Sequence, residues 1–156
     1  MRRRDFLTVL AGATTCASTV HGQEPRRVIG VLSSMFHDSY PGTEDAFVKG
    51  LKKAGFVGGQ NISIDWRWAQ GQYDRLPLLT SELASRSVAV IVCFDAPAAF
   101  AAKAATRTIP IVFITGADPV KTGLVDSFSR PGGNITGVTN LISALLSKQF
   151  LGRAAP

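Results

Sequence analysis

Three stretches of this chain are apolar at nearly every position. They are Val28-Ile29-Gly30-Val31-Leu32, Val88-Ala89-Val90-Ile91-Val92-Cys93 and Ile109-Pro110-Ile111-Val112-Phe113-Ile114. A strand with one face in water alternates apolar and polar residues. A strand covered on both faces does not, and parallel sheets are covered on both faces. Between these runs the period becomes helical. Ala46, Phe47, Gly50, Leu51 and Ala54 recur at helical spacing within Tyr40 to Ala54, and Gly55 is placed to close that helix. Tyr73 to Ser85 sets Leu76, Leu79 and Leu83 on one face, with Asp74 as its N-cap and Pro77 in its first turn. Pro97 to Thr106 is an Ala-rich helix. Ile62, Ile64 and Trp66 alternate with Ser63 and Asp65, the pattern of a second strand. Asp118 to Phe128 is expected to contain a short helix, Asn134 to Val138 a fifth strand, and Ser143 to Leu151 the start of another helix. Alternating strands and helices imply right-handed βαβ units. The predicted fold is α/β, a three-layer doubly wound parallel sheet.

The 156 residues suit one domain. No apolar run approaches the roughly 20 residues that span a bilayer, and two cysteines exclude a Cys-rich zinc module. The net charge of +6 points weakly to nucleic acid. Three of its basic groups are Arg2, Arg3 and Arg4, and without residues 1–22 the balance is 14 basic against 10 acidic groups. The rest are scattered, without the clustered footprint of a nucleic-acid surface, so no nucleic-acid partner is expected.

Residues 1–22 have the layout of an export signal: Arg2–Arg4, an apolar stretch from Phe6 to Ala17, and small or β-branched residues at Val20 and Gly22 ahead of a cleavage point. Arg3-Arg4-Asp5-Phe6-Leu7 resembles a twin-arginine signal, and a general secretory signal is the alternative. Cys16 raises lipid anchoring as a minor alternative, although Ala13-Thr14-Thr15 is a poor lipidation context. If Cys16 leaves with the signal, Cys93 remains alone and no intrachain disulfide forms.

In open α/β sheets, ligands sit beyond the carboxyl ends of the strands. Three such ends carry candidate groups: Ser33 and Ser34 after the first strand, Asp95, Ala96 and Pro97 after the third, and Thr115, Gly116 and Asp118 after the fourth. Hydroxyls, a carboxylate and helix starts can orient a small zwitterion or anion. The same residue types also serve as caps and turns without any ligand. No G-x-G-x-x-G follows the first strand, no phosphate-cradling loop is present, and His37 is the one histidine after the signal, so no cofactor or metal is expected. Ser33, His37 and Asp38 crowd one loop without a nucleophile-elbow motif. Alternation sets the rings of Trp66 and Trp68 on one face, as core or cleft packing or as a stacking surface for a ligand.

Several motifs together carry a resemblance. They are Val28–Ser33; Gly50-Leu51-Lys52-Lys53-Ala54-Gly55-Phe56 with Gly59-Gln60-Asn61; Arg67-Trp68-Ala69 with Gly71-Gln72-Tyr73-Asp74-Arg75-Leu76-Pro77; and Ala101–Thr106 leading into Ile109–Phe113. Asp118-Pro119-Val120, Gly123-Leu124-Val125 and Arg130–Val138 complete the set. From about Val28 to Leu151 the chain resembles the substrate-binding proteins of bacterial ABC transporters with a type I periplasmic-binding fold.

The resemblance implies two α/β lobes, joined by hinge strands, that close on a small solute such as an amino acid. The solute passes to an ABC transporter permease and no reaction is catalysed. It also implies a periplasmic protein, peripheral to the inner membrane through the permease. Carried over to this chain, Ser33, Ser34, Asp95–Pro97, Thr115, Gly116 and Asp118 face the cleft. An acid at position 95 departs from the family's small or hydroxyl residue, and either favours an amine-bearing solute or caps a helix. Length is a second departure, since members run to about twice this size. The expected organisation is a signal at 1–22, an N-terminal lobe at 23–141 including the crossing segment Val138–Leu141, and the start of a crossover helix with a divergent tail at 142–156. That organisation suggests a truncated receptor with impaired binding. The alternatives are a small α/β enzyme, which lacks cofactor loops here, and a ligand-sensing regulatory domain, whose DNA-binding segment would stand where the export signal lies.

Overall fold

A computed structural model describes residues 26–140. The export segment and the helix expected from Ser143 lie outside the described residues. Five strands, β1 (Arg27–Ser33), β2 (Ile62–Trp68), β3 (Val90–Cys93), β4 (Ile111–Thr115) and β5 (Ile135–Thr139), form one sheet in the order β2-β1-β3-β4-β5. Every neighbouring pair is parallel. Helices α1 (Thr43–Lys53), α2 (Leu76–Ser85) and α3 (Ala96–Ala105) make the first three crossovers.

The sheet splits the apolar residues between two faces. Ile29, Val31, Ile62, Val92 and Phe94 point toward α1, where Phe47 and Leu51 meet them. Leu32, Ile91, Cys93, Ile111 and Phe113 point toward α2 and α3, where Leu76, Leu79, Leu83, Ala98 and Ala102 close the larger core. Alternate residues of one strand thus serve opposite cores, which is why Val28–Leu32 of β1, β3 and Ile111–Ile114 of β4 are apolar. β2 lies at a sheet edge and serves one core only. Its Ile64, Trp66 and Trp68 turn toward α1. On its other face Arg67 reaches Asp65 (Nε to Oδ1, 2.9 Å) and Glu82 of α2 (Nη1 to Oε2, 2.9 Å), while Arg86 reaches Asp65 at 3.1 Å. These half-buried ion pairs replace an apolar seam between β2 and α2.

The observed ends differ from the predicted ones for local reasons. Tyr40 does not start α1. A 3₁₀ turn at His37–Ser39 intervenes and α1 begins at Thr43. Asp74 is not an N-cap, because Tyr73–Arg75 form a 3₁₀ turn and Arg75 holds the cap position of α2. The helix expected within Asp118–Phe128 is absent. Thr122 N–H donates to the Asp118 carbonyl, but Gly123 N–H donates to Val120 and both Leu124 and Val125 N–H donate to Pro119, so the segment is a series of turns. Gly123 at φ +75° is the break, a left-handed conformation that stops helix propagation. The fourth crossover is therefore built from turns, and β5 still joins the sheet in parallel.

At the β4–β5 seam the two strands pack with no room for a side chain. A Cβ on Gly137 would collide with the carbonyl oxygen and the ring of Phe113. The carbonyl belongs to a ladder and cannot swing away as a side chain can. Gly137→Ala is expected to lower stability by about 3 kcal/mol, the upper part of the range for overpacking. Urea unfolding of the two proteins side by side measures this, and an unchanged midpoint would refute the tight seam.

Candidate functional site

The site lies at the carboxyl edge of the sheet, where the loops after β1, β3, β4 and β5 converge on the start of α1. β1 runs between β2 and β3, and its crossover helix lies on the opposite face from α2 and α3. The ends of β1 and β3 are therefore the point where the winding reverses, the usual ligand crevice of such sheets.

That crevice holds a carboxylate of the protein itself. Asp95 is the N-cap of α3 and accepts from Ala98 N–H at 2.9 Å through Oδ1. Its Oδ2 accepts from the Ser33 hydroxyl at 2.7 Å and from Ser34 N–H at 2.8 Å. Ser33 and Ser34 are almost wholly buried, at 0% and 1% exposure. The candidate residues of the first and third strand ends are thus brought together and bonded to one another. Pro97 stands in the first turn of α3, where its missing N–H removes one of the donors a helix start normally presents. Beneath the crevice lies buried Cys93. Burial first, and then the Asp95 charge, push its thiol pKa far above the ordinary value, so it stays protonated.

Beside the crevice opens a cavity of about 340 Å³. Thr115 and Gly116, two of the candidate residues, line it. Tyr40 and Thr43 at the start of α1, Phe94 at the end of β3, Ile114 on β4 and Asn140 after β5 line it as well. None of the lining side chains is charged. The Thr115 hydroxyl accepts from Ala117 N–H at 3.1 Å, and Asn140 N–H donates to the Thr115 carbonyl at 2.8 Å, so β5 is tied to this wall. Asp118 is not among the lining residues. Its Oδ1 accepts from Val120 N–H (3.0 Å) and Lys121 N–H (3.2 Å), which makes it a turn cap.

Phe94 lines the cavity and also belongs to an aromatic cluster. The Trp66 and Trp68 rings stack with centroids 6.0 Å apart and planes 4° apart. Phe94 meets both edge-on, and Phe47 of α1 meets Phe94 and Trp66. Alternation in β2 correctly puts both tryptophans on one face. Their use is packing behind the cavity wall, with geometry favoured by the ring quadrupoles. Tyr40, Thr43, Phe94 and Asn140 were not singled out from the sequence. They come from separate segments with no shared spacing, and only the strand ends of the doubly wound fold bring them to one edge.

A polar clasp lies across the loop that carries Tyr40. His37 Nδ1 lies 2.8 Å from Asp38 Oδ1, and Nε2 lies 3.1 Å from Glu44 Oε1 in the first turn of α1. The Tyr40 loop is spanned by this His37–Glu44 contact. The ring of His37 also meets Trp68 edge-on at 5.7 Å. The hydrogen bond with Asp38, then the charge of Glu44, raise the His37 pKa above 6.5.

Residues 28–149 match the family model described as ABC transporter substrate binding protein. A curated relative, a tyrosine-binding protein of Clostridioides difficile (strain R20291), is 35% identical over 115 residues, covering 74% of this chain and 33% of the relative. Among solved structures, the ligand-free, open form of a substrate-binding protein with adhesive properties from Clostridium difficile superposes with a TM-score of 0.71. It is 35% identical, over 83% of this chain and 44% of that one. A Streptococcus pneumoniae ABC domain in complex with L-Trp superposes with a TM-score of 0.64 and 29% identity, over 74% of this chain and 39% of that one. The chain belongs to the ABC transporter substrate-binding protein family. It spans about a third of the length of the curated relative and under half of either solved structure.

A raised folded-state pKa means that the His37 clasp adds stability in acid, and that this contribution is lost as pH climbs through the raised value. The NMR titration of His37 is expected to have its midpoint above 6.5, and Asp38→Asn is expected to bring it down, since Asp38 is the larger cause. A midpoint at or below 6.5 in the unsubstituted protein would remove the clasp from the account.

Proposed function

We propose that this lobe forms one wall of a solute cleft in the substrate-binding component of an ABC transporter, and that the solute is an amino acid or related small molecule carrying an aromatic ring. The observation that carries the reading is the uncharged cavity at the carboxyl edge of the sheet, with Tyr40 and Phe94 in its walls and the hydroxyl and amide groups of Thr43 and Asn140 beside them. A site lined by aromatic side chains with a few fixed polar groups suits a flat, partly apolar ligand. Two relatives support the same class, since one is described as binding tyrosine and another was solved with L-Trp.

The residues that bear on the cleft divide by role. Tyr40, Phe94, Ile114, Thr115 and Gly116 contact the solute. Ser33, Ser34 and Asp95, with Ala96 and Pro97 at the start of α3, hold the two loops of the adjoining crevice in register. Asp118 fixes the turn after β4. The solute is handed to a permease in the inner membrane, and residues 1–22 direct the protein to the periplasm. No helix among the described residues is long and apolar enough to cross a membrane.

Cleft closure needs a second wall, and residues 26–140 supply one α/β lobe, so this lobe by itself is expected to bind weakly. Titration of the chain with L-tyrosine and L-tryptophan, followed by chemical shift changes, is expected to saturate in the ~mM range. L-glutamate serves as the contrasting probe and is expected not to bind. Tyr40 is 40% exposed and outside the core, so Tyr40→Ala should stay folded. It is expected to weaken binding about tenfold, or about 1.4 kcal/mol. Equal affinity for all three amino acids, or no effect of Tyr40→Ala, would overturn the reading.

A further inference from the structure

We infer that His37 is a positioning residue for the cavity: with a proton on both ring nitrogens it ties the first turn of α1 to the aromatic wall and fixes Tyr40 and Thr43, so that solute binding at this edge follows pH. The inference rests on the reading of that edge as a solute cleft. It goes beyond that reading in making one exposed side chain govern the shape of the wall.

α1 is the least anchored of the three helices. None of its residues is buried, whereas α2 buries Leu76, Leu79, Thr80 and Leu83, and α3 buries Ala98, Ala99 and Ala102. Its N-cap, Gly42, has no side chain with which to hold the first turn. Thr43 N–H donates to the Tyr40 carbonyl at 3.1 Å, across a turn with Pro41 and left-handed Gly42 at its centre. That turn carries two of the cavity's lining residues, Tyr40 and Thr43. His37 reaches it from outside. Nδ1 faces Asp38 Oδ1 at 2.8 Å and Nε2 faces Glu44 Oε1 at 3.1 Å. Neutral imidazole has one N–H, so one of these contacts would then set a lone pair against a carboxylate oxygen. Imidazolium donates to both. Asp45, beside Glu44 in α1, lines a pocket with His37, Asp38 and Tyr40 and adds a third negative charge. From β2 comes the uncharged ring of Trp68, 5.7 Å from that of His37. Trp68 in turn meets Phe94 at 6.3 Å, and Phe94 lines the cavity. His37 therefore bridges the Tyr40 turn and the layer behind Phe94. Loss of its proton breaks one of its ties and loosens Tyr40 and Thr43, while the aromatic wall, packed by apolar contact, stays in place. The side chains are exposed, 65% for His37 and 30% for Glu44, so the coupling is modest.

The test follows the full chain and its His37→Gln variant at about pH 5.5 and about pH 8, either side of the histidine titration. His37 is exposed, so the variant should fold, and His21 is present in both proteins. Without solute, carbon-13 relaxation is expected to show the Gly42 α-carbon more mobile at the higher pH in the unsubstituted chain, and equally mobile at both in the variant. L-tryptophan, whose charge is the same at both values, is expected to bind the unsubstituted chain about threefold more tightly at the lower pH. His37→Gln is expected to bind it equally at both. By reciprocity, L-tryptophan is expected to raise the midpoint of the His37 NMR titration. Gly42 motion that ignores the His37 titration would overturn the inference. So would a pH dependence of binding that His37→Gln retains, or equal affinity at both values in the unsubstituted chain. If L-tryptophan binds at neither pH while Gly42 still loosens as His37 loses its proton, the aromatic-solute reading fails and the role of His37 stands.

Discussion

β1 pairs with β2 over Arg27–Ser33 on one side and with β3 over Ile29–Leu32 on the other, and each of its faces feeds a different core. An interior parallel strand has no solvent face on which to place a polar residue, so Val28–Leu32 must be apolar throughout. Its polar groups can begin only where the strand ends. Ser33 and Ser34 stand at that boundary, still buried, and their donors must be satisfied inside the protein. Asp95 satisfies them. The choice of residue at position 95 thus follows from the burial of β1 as much as from any property of a ligand. The same constraint aligns the ends of β3, β4 and β5 into one edge, and a cavity opens there.

Much of this architecture is legible in the sequence because the signals are long and redundant. Uninterrupted apolar runs announce the buried strands, leucines at helical spacing announce α2, and alternation across Ile62 to Trp66 announces β2 and the shared face of its tryptophans. The segment after β4 is the instructive failure. Asp118, Pro119 and the apolar residues that follow look like a capped helix, yet Gly123 and Pro131 leave too few consecutive residues for the helical ladder to be worth nucleating. Helix starts were misplaced for a similar reason. Tyr40 follows a 3₁₀ turn and Tyr73 opens one, and their hydrogen-bond spacing leaves no periodic trace over three residues.

The site was less legible than the fold. Rules for open α/β sheets locate the strand ends, and Thr115 and Gly116 emerge from them. They do not distinguish a group facing a cavity from one consumed by its neighbours. Ser33, Ser34 and Asp95 look like ligand groups in sequence, whereas in three dimensions they are each other's partners. Tyr40, Thr43, Phe94 and Asn140 carry no local signature, since their meeting depends on where α1 begins and how far β5 runs. Length along the chain hides such neighbours, and only the packed sheet reveals them.

The aromatic cluster has an optical consequence. Trp66 and Trp68 are the protein's two tryptophans, stacked nearly parallel. The transitions of two indoles at this separation couple to a degree set by the relative orientation of the rings. Phe94 touches both of them and also forms part of the cavity wall. Any displacement of that wall is passed to the indole pair and changes its coupling. The fold thus contains its own chromophore beside the cavity, which light can probe with no label attached.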